Sequence, residues 1–285
     1  MAPVCRPRTK FGAGTPELSP MLKTIRELCR WRDLIRNMVL RNLRVRYKGS
    51  VLGFLWTMIS PLFMMLIYFL FLRLLRIPID LPELLIGILA WTFFATCLSD
   101  AVVVITAAPS LVKRTPFPKL VMPAAMILAN LINFLLSLLV LAGFLAVSII
   151  FFGYRSAAGW SLLALPGVII LNLALVAGLS SFLACLNVYF RDTEHLISIL
   201  LLAWFFMTPI MYPLERALGS LSPALFSLYC LNPMVAVVSL YRFVFLGTAP
   251  PAAAGFYISM AVCLLTMVLG TAFFLRREPY FADEL

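Results

Sequence analysis

Six stretches of this chain are long and apolar enough to require an environment other than water. A helix crossing the roughly 30 Å hydrocarbon core of a bilayer needs about 20 apolar residues in succession. Hydrophobic residues fill 63% of the 285 positions and charged residues only 12%. That is about half the charged share of an ordinary soluble domain. Too little polar sequence remains to wet a core of this size, so the apolar surface must face lipid. The pattern predicts an all-α membrane protein of six transmembrane helices, at about 51–72, 84–108, 124–152, 160–186, 195–212 and 256–275.

Two of these spans need comment. The third apolar run begins at Leu120 and is too long for one upright helix. Pro123 is expected to split a short interfacial piece from the span proper. The fifth run is short and is expected to end at Pro209 and Pro213. Between residues 214 and 247, Pro223, the Asn232-Pro233 break and Arg242 divide an apolar stretch into pieces too short to cross. These predict two short re-entrant helices between spans five and six.

Basic residues set the orientation. With the N-terminus inside, 18 Lys and Arg fall on the cytoplasmic side, and five (Arg73, Arg76, Arg155, Arg216, Arg242) fall outside. This asymmetry follows the positive-inside rule and predicts that both termini are cytoplasmic. Residues 1–24, punctuated by proline and glycine, are expected to be a flexible tail, and residues 279–285 a short C-terminal one. The first apolar run starts near Val51, unlike the short apolar stretch of a cleaved signal peptide. The six cysteines are scattered without a CxxC pair and read as small apolar side chains.

Several chemistries lack their residues. No GxxxxGK[ST] is present to cradle ATP phosphates. Neither HExxH, GxSxG nor a DxD-like acidic pair appears, so no catalytic residue and no metal site is expected, and a membrane hydrolase or glycosyltransferase reading finds no acidic cluster. His195 is the only histidine; it and its neighbours Asp192 and Glu194 are expected at the start of the fifth span, where the carboxylates would cap it.

Three segments and one residue stand out as functional candidates. Residues 31–48 form an amphipathic pattern: Trp31, Leu34, Ile35 and Met38 share a helical face, which then rotates to Val39, Leu43 and Tyr47. This predicts a helix lying in the membrane interface and leading into the first span. Its cations Arg41, Arg44, Arg46 and Lys48 fit either a membrane-surface anchor or a site for an anionic lipid head group, since arginine offers phosphate a planar fork of donors. Nucleic acid is not an expected partner for residues held against a membrane. The loop 109–118, with Lys113, Arg114, Pro116, Phe117 and Pro118, is either a connector or a docking helix for a cytoplasmic partner. Aromatic residues, including Phe63, Tyr68, Trp204, Phe205, Phe206 and Tyr212, pack helices in most membrane proteins, but rings of this kind also stack on sugars. Asp100 is a carboxylate inside an apolar run, suited to packing or to function.

The segment Arg44-Val-Arg-Tyr-Lys-Gly-Ser-Val-Leu-Gly-Phe-Leu-Trp56, followed by Pro61, resembles the opening of ABC-2 type permeases that export polysaccharides. Asn187-Val-Tyr-Phe-Arg-Asp192, Pro209-Ile-Met-Tyr-Pro213 and Asn232-Pro233 look like the same family, in the same order. The resemblance covers residues 25–278 and favours the O-antigen and teichoic-acid branch over the capsule branch. It implies a homodimer in the cell inner membrane with two separate ABC ATPase subunits, which bind ATP and magnesium; this chain would bind no cofactor. It implies that 31–48 is a gate helix, with Arg41, Arg44, Arg46 and Lys48 near an undecaprenyl diphosphate-linked glycan. Lys113, Arg114, Pro116, Phe117 and Pro118 would couple to the ATPase. Phe63, Tyr68, Trp204, Phe205, Phe206 and Tyr212 would line the sugar path. A drug or lipid exporter of the same fold, or a membrane enzyme of lipid-linked sugars, are the alternatives.

Overall fold

The computed structural model describes residues 29–49, 53, 55–77, 79–115, 117–152, 159–214, 219 and 221–285. The expected tail at 1–24 and Pro116 lie outside these residues. Helices dominate, and no strand occurs among the described residues. In chain order they are α1 (Arg32–Tyr47), α2 (Leu55–Leu74), α3 (Leu81–Val104), α4 (Pro109–Arg114), α5 (Val121–Phe152), α6 (Leu165–Tyr189), α7 (Thr193–Phe206), α8 (Pro223–Tyr229), α9 (Pro233–Leu246), α10 (Ala254–Arg277) and α11 (Phe281–Glu284).

Helix α3 is the hub. Apart from Glu83 in its first turn and Asp100 near its end, it is largely apolar all round, the pattern of a helix surrounded by protein, and it touches α2, α5, α6, α7 and α9. Leu84, Leu85, Phe94, Cys97, Ala101 and Val102 are all inaccessible. Helices α6 and α10 make the closest seam. A Cβ placed on Gly178 would overlap the Thr266 carbonyl, and one on Gly270 would overlap the Gly178 carbonyl. Small residues let backbones approach this closely where lipid supplies no hydrophobic drive.

Five helices are long and apolar enough to cross a membrane, and a sixth span appears if the bent pair α8–α9 is taken as one. The chain is therefore a multi-pass membrane protein. Four details differ from the sequence expectation. Helix α5 runs unbroken through Pro123, which lies in its first turn, where a missing N–H costs nothing. The segment 195–212 is not one spanning helix. Helix α7 has 14 residues, about 21 Å, and residues 207–212 form turns. There Asn232 takes over the freed groups: its Nδ2 donates to the Met207 carbonyl at 3.1 Å and to Thr208 Oγ1 at 3.4 Å. Asp192 sits at the N-cap of α7 but makes no capping hydrogen bond.

The 214–247 region does hold two short helices, bent 89° from each other. Asn232 also caps α9, accepting from the Met234 N–H at 3.0 Å, with Pro233 at the first helical position. Gly247 closes α9 in the left-handed conformation at φ 73°. Finally, residues 279–285 do not trail away: a 3-10 turn (Glu278–Tyr280) leads into α11, whose Phe281 is fully buried.

Candidate functional site

The apolar face read along α1 is the packed one. Met38 and Val39 are buried, and Trp31, Leu34, Ile35 and Leu43 lie against a cluster that includes Val112, Phe117, Phe274 and Phe281. The cations are thereby left on the outer side, and at the C-terminal end of α1 they diverge. Arg46 Nη2 donates to Asp100 Oδ2 of α3 at 2.7 Å, and its Nη1 to Asn130 Oδ1 of α5 at 2.7 Å. Asn130 Nδ2 in turn donates to Asp100 Oδ2 at 2.9 Å. One position on, the Tyr47 hydroxyl donates to Asn133 Oδ1 at 2.8 Å and shares a 2.6 Å hydrogen bond with Thr57 of α2. The end of α1 is tied to three helices by these bonds.

Two cavities meet at this knot. A groove of about 560 Å³ between α1, α3 and α5 is lined by Arg41, Arg46, Asp100 and Asn130. A second cavity, about 430 Å³, is lined by Arg46, Asn130 and Asn133, by the hydroxyls of Thr57, Ser60, Thr92 and Thr96, and by Trp56 and Phe93 among its rings. Polar side chains at membrane depth are tolerated where they face protein or a wetted cavity. Arg46, Asn130 and Asn133 belong to both linings. The Arg46 guanidinium, which offers five donors in a fixed fork, is therefore reachable from both cavities while it is paired with Asp100. Arg44 and Lys48 are exposed and line neither cavity. Asn130, Asn133 and Thr57 escaped the sequence reading; the signal for the first two is a pair of amides three residues apart in an otherwise apolar helix.

The loop 109–118 is built around buried Val112 and Phe117, with Lys113 and Arg114 exposed on α4 and Pro118 half-buried. Lys119 Nζ lies 4.5 Å from the Phe117 ring centre and donates to the Thr115 carbonyl at 2.6 Å. Burial lowers the pKa of this ammonium, and the Glu278 carboxylate opposes the effect. A groove of about 570 Å³ beside the loop is lined by Lys113, Arg114 and Lys119 and, across from them, by Glu278, Pro279 and Ala282.

The six expected path aromatics separate. Tyr68, Phe205 and Phe206 line a groove of about 650 Å³ between α2, α3 and α7, together with Trp91. Phe205 lies 5.8 Å from Tyr68 and edge-on to Trp91 at 5.6 Å. Trp204 points elsewhere, edge-on to buried Phe94 at 5.1 Å, and its Nε1–H donates to Asn232 Oδ1 at 2.7 Å. Tyr212 shares a 3.0 Å hydrogen bond with the Tyr229 hydroxyl. Phe63 is exposed on α2 and is not part of the groove.

Residues 33–246 match the family model for the ABC-2 type transporter. The chain is 32% identical over 268 residues to the O-antigen export system permease protein RfbA of Myxococcus xanthus, covering 93% of this chain and 100% of that protein. It is 30% identical over 219 residues to an O-antigen export system permease protein RfbA of Klebsiella pneumoniae, covering 75% of this chain and 81% of that relative. An ABC-2 model across three-quarters of the sequence, with a full-length relative above 30% identity, places this chain in the ABC-2 type transporter family.

Proposed function

We propose that this chain is the membrane permease subunit of an ABC transporter that exports a lipid-linked polysaccharide, of the O-antigen kind, across the cell inner membrane. The observation that carries the proposal is likeness along the entire length of a relative named as an O-antigen export permease. In this reading two copies form a homodimer served by two ABC ATPase subunits, which hold the ATP and magnesium. Both termini are cytoplasmic, and α1 lies in the interface. The diphosphate of an undecaprenyl carrier meets Arg41 and Arg46, and exchange with Asp100 lets Arg46 accept and release it. Arg44 and Lys48, outside the cavities, draw the anionic carrier toward them. The hydroxyls and rings of the adjoining cavity suit the first sugar, and Tyr68, Phe205 and Phe206 suit stacking without a tight grip. Lys113 and Arg114, with Pro116, Phe117 and Pro118, form the surface that meets the ATPase.

The test is vesicle reconstitution of the chain with its ATPase and an undecaprenyl diphosphate-linked glycan in the ATP-facing leaflet. Glycan should become available to a lectin on the opposite face only when ATP is supplied. Exposure at the same rate without ATP would overturn the reading. Reversing two cations of the docking loop (Lys113→Glu with Arg114→Glu) should weaken ATPase association by about tenfold or more, because like charge juxtaposed across an interface costs several kcal/mol. Undiminished co-purification would move docking elsewhere.

A further inference from the structure

The chain beyond α10 sits between the two polar loops at this end of the molecule. Glu278 accepts a hydrogen bond from the Lys119 backbone N–H, joining the turn after α10 to the loop that follows α4. Phe281 is inaccessible, with its ring edge-on to Phe274 of α10 at 5.2 Å and 6.4 Å from Tyr189 at the end of α6. It shares one apolar cluster with Val112 and Phe117 of the docking loop and with Cys185 and Val188 of α6. On one side of this segment lies the groove lined by Lys113, Arg114 and Lys119. On its other side, Glu284 and Leu285 face Pro109, Arg191 of the α6–α7 loop and Glu194 in the first turn of α7 across a smaller groove of about 270 Å³.

A four-residue helix has no stability of its own, because nucleation costs more than one turn returns. Helix α11 is ordered by what Phe281 touches. The converse also holds: α6 and α10 are already joined along their glycine seam, and Phe281, within the shared apolar cluster, together with Glu278 ties α4 and its loop to that pair. We infer that residues 278–284 are a keystone that makes the two loops and α10 move as one body. A displacement of α4 is carried to α10 by Glu278 and Phe281, and from α10 to α6 across the Gly178–Gly270 seam. Phe281 and Glu278 are positioning residues: they touch no substrate and act through the loop.

This inference rests on the reading that α4 meets the ATPase, and the experiment separates the two. In the reconstituted complex, Phe281→Ala should leave the co-purified ATPase and its ATP hydrolysis in place while export per ATP falls about tenfold, within the usual range of coupling strengths. Phe281→Leu, which keeps most of the apolar volume, should restore most of that ratio. An unchanged ratio in Phe281→Ala overturns the keystone and leaves the docking reading intact; undiminished ATPase association after reversal of Lys113 and Arg114 overturns the docking reading instead. If Phe281→Ala fails to accumulate, a second variant decides: Lys119→Cys with Glu278→Cys, cross-linked, should export at the uncross-linked rate. A cross-link that blocks export means the two segments must separate, which refutes a single moving body.

Discussion

Arg46 stands where three helices and two cavities meet, and its partners decide what it can do there. Its side chain is 39% exposed and that of Asp100 34%, so their ion pair contributes only about 0–1 kcal/mol to stability. Its weight lies in holding the guanidinium in place. Arg46→Asp and Asp100→Arg should each abolish most export while barely moving the thermal midpoint. The exchange of both, Arg46→Asp with Asp100→Arg, should recover part of it, and a double variant no better than either single would remove the pair from the mechanism. Asp100 is legible in the sequence as a carboxylate in an apolar run. Its cation is not, because 54 positions and a change of helix separate them. The four candidate cations Arg41, Arg44, Arg46 and Lys48 are equally visible as a group, but the pitch and tilt of the packed helix select Arg46 for the ion pair and Arg41 for the groove.

At the scale of elements, the α6–α10 seam is an unforgiving contact. The atoms that a side chain on Gly178 or Gly270 would meet are backbone carbonyls, so no rotamer change can make room. Gly178→Val or Gly270→Val should destabilise the protein by about 1–3 kcal/mol, as overpacking does, read as a lower midpoint in detergent melts. An unshifted midpoint would show that the helices can separate without loss. Hydropathy located α2, α3, α6 and α10 because apolar runs and helix bounds coincide there. It misplaced the breaks around α5 and α7 for a shared reason. A proline in the first turn costs nothing, whereas the end of α7 is stabilised by the amide of Asn232, 25 residues downstream of Met207. Run length records how apolar a segment is, not where its backbone groups find partners.

At the scale of the whole molecule, the proposed orientation places α11 and the docking loop on the ATPase side. A cysteine introduced near Leu285, in a background without native cysteines, should react with a membrane-impermeant reagent only after cells are opened. Labelling of intact cells would invert the topology and with it the assignment of α4. The fold class and multi-pass character follow from composition and run length alone. The polar knot around Arg46 and the ordered C-terminal turn do not, because each is assembled from residues that are distant in sequence and unremarkable one by one.

Helix α5 carries a further consequence. Its 32 uncharged residues extend about 48 Å, well beyond the roughly 30 Å of hydrocarbon available. Part of the excess is taken up by its first turns, whose Val121, Met122 and Ala125 share a protein cluster with Val112 and Phe281. Tilting or local thickening of the lipid absorbs the rest, at a modest cost for each ångström of mismatch. Because α5 carries Asn130 and Asn133, its lean sets how far those amides stand from Arg46 and Tyr47. Acyl-chain length thereby becomes a physical input to the geometry of the Arg46 knot.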